Sequence, residues 1–268
     1  MIRSILFPTD FSAVANSALP LAVKLAEEFE AIIHAAHIAS GSDPHITETT
    51  RYEFPRPLAG TAEVQMKEEI IPQSADDPVE VLIRTAQRNE CDLIVMASHG
   101  RSDIAQFFLG RSVAERVARD SRIPTIIARL YGARRTMRPI DRMERIIYAT
   151  DLAEETRKIL PVAAEIARRT GAQLSTVCVF AEGDEQPVDG GRDVLKRFFE
   201  EAEASDLFNN FQTLRGGVGE SLVEYAAGTE ADLIAITSSI CCGGNTDMTE
   251  TAEFIIRNAP CPVLCVRT

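Results

Sequence analysis

The residues with the clearest chemical use run from Leu93 to Val113. Leu93 to Ala97 is an uninterrupted apolar run, the pattern of a strand buried on both faces of a parallel sheet. It breaks at Ser98-His99-Gly100 into a loop. Gly110-Arg111-Ser112 then opens a helix that continues through Val113 and Val117 to Arg119. A strand that feeds a glycine-containing loop and then a helix N-terminus suits an anion such as phosphate. The loop amides can turn inward, the helix dipole favours negative charge, and glycine lets the backbone approach closely. The spacing is neither GxGxxG nor the GxxxxGK(S/T) phosphate loop. No Ser-His-Asp or Cys-His arrangement, HExxH or GxSxG motif is present. His34, His37, His45 and His99 are too scattered for a metal-ligand spacing, so neither catalytic nor metal-ligating residues are expected.

The elements that must position this loop occur twice. Ile5-Leu-Phe-Pro-Thr-Asp10 matches Ile146-Ile-Tyr-Ala-Thr-Asp151, and Pro20 and Pro161 follow the two aspartates at the same distance. Glu90-Cys-Asp-Leu-Ile-Val95 pairs with Glu230-Ala-Asp-Leu-Ile-Ala235, and Ile123-Pro124 to Arg129 with Cys261-Pro262 to Arg267. The chain therefore reads as tandem copies of one domain, at 1–132 and 143–268, with a linker at 133–142. In the first copy, strands are expected at Ile2–Phe7, Ala31–Ile38, Val64–Ile71, Leu93–Ala97 and Thr125–Ala128. Helices are expected at Ala13–Phe29, Pro78–Arg88 and Val113–Arg119. Pro20 and Pro161 then fall inside a helix and predict a shared bend. Alternation of strands and helices implies an α/β fold, a parallel sheet covered on both faces by right-handed crossovers. Ligands of such sheets bind beyond the carboxyl ends of the strands, where the strand order reverses.

Ala97-x2-Gly100-x9-Gly110, with Ser112 close behind, resembles the Gly-x2-Gly-x9-Gly-Ser/Thr signature of the universal stress protein family. Two positions depart from it: Ala97 stands at the first glycine, and Arg111 separates Gly110 from Ser112. Arg111 adds a cation beside the phosphates or shifts the helix start. The resemblance implies two doubly wound parallel five-stranded sheets, each of order 3-2-1-4-5. It also implies a site for ATP or AMP, with Mg²⁺ carried by the phosphates. The residues it assigns to that site are Pro8, Thr9, Asp10, Ile38, Met96, Ala97, His99, Gly100, Arg101, Gly110, Arg111, Ser112 and Val113.

Several have an ordinary alternative. Asp10 can accept from adenine or ribose, or it and Ser12 can cap the next helix. Ile38 can lie against adenine or simply fill the core. His99 contributes backbone or acts as a base, Arg101 meets phosphate or solvent, and Ser112 is a phosphate ligand or a helix cap. The resemblance further implies a stress-response or signalling module with at most slow ATP hydrolysis. The alternative is a scaffold of the same fold that binds no nucleotide and acts through protein–protein contacts.

The second copy differs at the loop. Ile236-Thr-Ser-Ser-Ile240-Cys-Cys-Gly243-Gly244 puts Ile240 where the first copy has Gly100, so the nucleotide site is expected in the first copy alone. The copies also differ between their second and third strands. Asp193 to Ala204 is amphipathic and helical in period, whereas Ser40 to Gly60 carries Gly41, Pro44, Pro55 and Pro57 and has no helical period. A net charge of −12 argues against nucleic-acid and membrane-surface partners. No apolar run approaches the roughly 20 residues of a membrane span, and no signal-peptide layout is seen, so a cytoplasmic protein is expected. The six cysteines lack metal spacing. Only the vicinal Cys241-Cys242 pair suggests a thiol-redox role. The apolar segments Thr125–Ala128 and Val263–Val266 would be exposed edge strands if left bare. They are expected to pair within the chain across a pseudo-twofold axis, with homodimerisation as a further option.

Overall fold

The computed structural model describes residues 1–39, 54–55, 64–72, 76–98, 112–128, 143–180, 188–240 and 248–267. The chain divides into two compact units, with Met1–Val117 making up most of one and Met137–Thr268 most of the other.

The first copy contains β1 (Ser4–Pro8), α1 (Ala13–Asn16), α2 (Leu19–Phe29), β2 (Ile32–Ala39), β3 (Met66–Pro72), α3 (Pro78–Arg88), β4 (Leu93–Ala97), α4 (Val113–Asp120) and β5 (Thr125–Ala128). Its strands lie in the order β3-β2-β1-β4-β5, and the β1–β2, β1–β4 and β2–β3 pairs are parallel. This is the expected 3-2-1-4-5 arrangement. The central strands β1 and β4 are buried along their whole length, which is why they read as continuous apolar runs rather than as alternating ones. On β3, at the end of this order, Ile70 remains 43% exposed.

The second copy repeats the plan with β6 (Arg145–Thr150), a 3₁₀ turn at Glu154–Ile159, α5 (Leu160–Thr170), β7 (Gln173–Phe180), α6 (Val188–Glu201), β8 (Asn210–Arg215), α7 (Val218–Gly228), β9 (Leu233–Thr237), α8 (Glu250–Asn258) and β10 (Val263–Val266). Its order is β8-β7-β6-β9-β10, with every pair parallel. Between β7 and β8, α6 buries Leu195, Phe198 and Phe199, and the Phe199 ring stands edge-on to Tyr148 at 6.2 Å. This is the helix expected from the amphipathic period. Most of its counterpart, Ser40 to Gly60, lies outside the described residues.

The expected single helix over Ala13–Phe29 is corrected: it is two elements, α1 and α2, separated at Ser17–Ala18. Pro20 is at the start of α2 rather than in mid-helix. A first-turn proline lacks only an N–H that would have had no helical partner. Pro161 begins α5 in the same way, after the 3₁₀ turn. The repeated proline therefore marks a helix start, not a bend. Among the described residues no helix is long and apolar enough to cross a membrane.

Candidate functional site

Strand register determines which residues meet at the carboxyl end of the first sheet. Pro8 is level with Ala36 on β2, and the Thr9 amide donates to the Ala36 carbonyl at 2.9 Å. On the other side Ile5 pairs with Leu93 and Leu6 with Ile94. Carried forward, that register sets Pro8 level with Met96 and Thr9 level with Ala97. Past the end of β4 the Ser98 amide donates to Ala128 at 2.8 Å. Pro8, Thr9 and Asp10 from β1, Ile38 from β2, and Met96 and Ala97 from β4 thus share one end of three neighbouring strands. Pro8, Thr9, Met96 and Ala97 are buried, whereas Asp10 and Ile38 are half-buried. This is the strand-order reversal at which open parallel sheets take ligands.

The turn after β1 is built by side chains. Thr9 Oγ1 accepts from the Phe11 amide at 3.0 Å, and Asp10 Oδ1 accepts from the Ser12 amide at 3.0 Å. Ser12 in turn caps α1, its hydroxyl accepting from the Ala15 amide at 3.0 Å. Of the two capping candidates, Ser12 caps the helix and Asp10 shapes the turn before it. The second copy repeats the arrangement, with Leu152 donating to Thr150 Oγ1 and Ala153 to Asp151 Oδ1, both at 3.0 Å. In each copy the residue after the aspartate is left-handed, at φ 61° for Phe11 and 67° for Leu152. A bulky side chain rarely takes that conformation, and the Thr and Asp bonds hold it there.

The start of α4 carries the other described candidates. Ser112 is the cap: its hydroxyl accepts from the Glu115 amide at 3.2 Å, and its carbonyl accepts from the Arg116 amide at 3.0 Å. Val113 is the first helical residue. A hydroxyl that accepts one bond still has its own proton to donate, so the cap and a phosphate contact are compatible. One turn further, Arg116 pairs with Asp77, which also caps α3 by accepting from Val79. The Arg116 hydrogen bond, followed by that of the Val79 amide, holds the Asp77 carboxyl below the usual carboxylate range. His99, Gly100, Arg101, Gly110 and Arg111 lie outside the described residues.

Three features escaped the reading of the sequence. Asn16 Oδ1 accepts from the Thr9 hydroxyl at 2.6 Å. His37 Nδ1 lies 2.9 Å from the Thr9 carbonyl; a carbonyl only accepts, so this ring nitrogen carries the proton. The Phe11 ring lies 4.4 Å from His37 and 5.1 Å from Phe54. Recurrence of the Thr-Asp pair in both copies was the available signal for the turn. Nothing in the local sequence tied Phe54 to it.

At the corresponding end of the second sheet, Ile240 closes a turn on Thr237, its amide donating at 3.3 Å. Ile240 is 1% exposed, so an isoleucine side chain is packed where the first copy has Gly100. Thr249, the cap of α8, ties the helix start to this turn: its amide donates to Ser238 at 2.9 Å and its hydroxyl to Ile240 at 3.1 Å. Cys241, Cys242, Gly243 and Gly244 lie outside the described residues. The four described cysteines, Cys91, Cys178, Cys261 and Cys265, are buried and unbridged.

Comparison with known proteins agrees with this geometry. A profile of the universal stress protein family matches residues 1–129 and 143–267. The chain is 27% identical over 145 residues to the universal stress protein MJ0531 of Methanocaldococcus jannaschii, covering 48% of this chain and 83% of that protein. In fold it is similar to a universal stress protein from Archaeoglobus fulgidus, with a TM-score of 0.69 at 18% identity, 98% of this chain and 96% of the other being covered. It is equally similar, at a TM-score of 0.69 and 18% identity over 99% and 92% of the two chains, to the functionally unknown protein PA1789 from Pseudomonas aeruginosa PAO1. Two matched segments, two sheets of the same order and two Thr-Asp turns lead to one conclusion: the chain belongs to the universal stress protein family, with two copies of its domain in tandem.

Proposed function

We propose that the first copy binds an adenine nucleotide, ATP or AMP, and that the protein acts as a stress-response or signalling module with at most slow ATP hydrolysis. The observation that carries this reading is the meeting of Pro8, Thr9, Asp10, Ile38, Met96 and Ala97 at the switch point of the first sheet, directly before the Gly100-x9-Gly110 loop and the Ser112-capped helix. Adenosine would lie against the ends of β1 and β2, and the phosphates against the loop amides and the start of α4. Mg²⁺ would arrive on a triphosphate rather than in a dedicated cage of carboxylates. The second copy contributes no nucleotide site in this reading; the packed Ile240 and the Thr249 bonds support that asymmetry.

The test is identification of nucleotide released by acid from the purified full-length chain. ATP or AMP in the extract supports the reading. No nucleotide, together with a melting temperature that millimolar ATP does not move, leaves the protein–protein scaffold as the function.

A further inference from the structure

The two copies anchor the helix after their fourth strand differently. In the second copy Thr249, the cap of α8, is bound to the turn that ends β9: its amide donates to Ser238 at 2.9 Å and its hydroxyl to Ile240 at 3.1 Å. Further along α8, Phe254 packs on α7, where a Cβ added to Gly219 would stand 2.6 Å from the Phe254 ring. Pro124 and its match Pro262 are 138 residues apart, and at that offset Thr249 corresponds to Arg111 and Phe254 to Arg116. The first copy therefore has no threonine at the position that ties α8 to its strand. Its cap is Ser112, one place later, with the Glu115 amide on its hydroxyl.

What the first copy has in its place is an ion pair. Arg116, the fourth residue of α4, donates to Asp77, the cap of α3. The two side chains are 33% and 35% exposed. The match of Glu90 with Glu230 puts Gly217 at the position of Asp77, and Gly217 caps α7 with no side-chain bond. Both members of the pair thus differ together in the second copy, Asp77 becoming Gly217 and Arg116 becoming Phe254. The tie belongs to the copy with the glycine loop. It acts on the turn that carries Ser112, because the Arg116 amide donates to the Ser112 carbonyl at 3.0 Å. Both helices that it joins start beyond the carboxyl ends of strands, the end of the sheet where ligands bind.

We infer that Asp77 is a positioning residue for the nucleotide phosphates: through Arg116 it holds the first turn of α4, and Ser112 with it, against α3. The helix start is thereby set without the bonds by which Thr249 closes the turn in the second copy. This inference rests on the nucleotide reading above. A helix start fixed before the ligand arrives needs no ordering on binding, so loosening it weakens affinity. For an ion pair as exposed as this one the loss is about three- to fivefold in the dissociation constant.

The experiment is calorimetric titration of the full chain with ATP, for the wild type, Asp77→Asn, Arg116→Met, their double variant and Arg116→Lys. Asparagine caps a helix as well as aspartate does, so Asp77→Asn keeps the start of α3 and removes only the charge. Expected are dissociation constants about three- to fivefold above wild type for Asp77→Asn, Arg116→Met and the double variant alike, because all three lose one shared contact. Arg116→Lys keeps the cation and should bind ATP nearly as the wild type does. Unchanged affinity in both single variants, whatever their melting temperatures, overturns the inference. So does tighter binding by Asp77→Asn with weaker binding by Arg116→Met, since Arg116 would then meet the phosphates itself. A double variant whose loss is the sum of the two single losses overturns it as well. Absence of ATP binding by the wild type overturns the nucleotide reading itself, and the two failures are thus distinct.

Discussion

Ser112 offers a way to separate a helix cap from a phosphate ligand. Its hydroxyl accepts from the Glu115 amide at 3.2 Å, a single capping bond at the start of α4. Ser112→Ala removes that acceptor and should cost about 1 kcal/mol of folding stability, or about 2–4 °C in melting temperature for a domain of this size. If the hydroxyl proton also meets a phosphate, the same substitution deletes a hydrogen bond to a charged group. That bond is worth about 1.5–3 kcal/mol, or about 10- to 150-fold in the ATP dissociation constant. Ser112→Asp separates the two effects. Aspartate caps as well as serine, so stability should return to the wild-type value. Its carboxylate has no proton to donate and repels the phosphates, so ATP affinity should fall at least as far as in Ser112→Ala. Thr249→Ala is the control: this cap accepts from the Ala252 amide at 3.1 Å and donates to Ile240 at 3.1 Å. Its loss should destabilise more than that of Ser112 and leave ATP affinity unchanged. Thermal melting gives the first quantity and calorimetry the second. Ser112→Asp binding ATP like the wild type would refute the phosphate contact.

Other consequences can be checked independently. Glu30 ends α2 in the left-handed region at φ 54°, where the second copy has Gly171 at φ 72°. Glu30→Gly should therefore stabilise by about 0.5 kcal/mol once the greater unfolded-state freedom of glycine is subtracted. Nothing lies within 4 Å of where a Cβ on Gly171 would stand, so Gly171→Glu should cost only the same net conformational term, about 0.5 kcal/mol; urea titrations of equal midpoint for the three proteins would contradict both. Asp77 is held below the usual carboxylate range by Arg116. The stability it lends is complete above its unfolded-state range near pH 4 and drains away as the pH falls through the depressed value. Asp77→Asn should remove that part of the acid dependence, and acid-unfolding curves that superimpose on the wild type would exclude it. Burial pushes the Cys178 and Cys265 thiols up to about 12 and raises those of Cys91 and Cys261 as well. At pH 8 a thiol-alkylating reagent should leave all four unmodified in peptide maps of the native protein, and rapid labelling of any one would show that its strand opens.

The parts of the fold that could be read directly from the sequence are those that burial controls. β1 and β4 are sealed on both sides, so their apolar runs stand out, and the internal match from Asp10 to Asp151 makes the duplication visible in the sequence. Side-chain to backbone bonds were harder to anticipate. Asp92 and Asp232 were visible only as members of the repeat. In the structure Asp92 Oδ2 accepts from the Arg3 and Ser4 amides at 2.8 and 3.2 Å, and Asp232 Oδ2 from Glu144 and Arg145 at 2.7 and 2.9 Å. Each clamps the chain as it enters the first strand of its copy. Pro20 misled because its helical period continues across the break at Ser17–Ala18; the Thr9–Asn16 and Asn16–Phe11 bonds that pin the end of α1 act across seven and five residues. Phe54 could not have been placed at all, because its partner Phe11 is distant in sequence and no periodicity links the two. At the candidate site, the strands that carry the expected residues were therefore legible, and the turn that follows β1 was not.

The number of nucleotides held by each chain bears on both the nucleotide function and the difference between the copies. Calorimetric titration of the full-length protein with ATP should give one site per chain, and Gly100→Val in the loop should abolish it while leaving the fold intact by circular dichroism. A stoichiometry of two would contradict the asymmetry between the copies. No binding by a properly folded wild-type chain would contradict the nucleotide function itself.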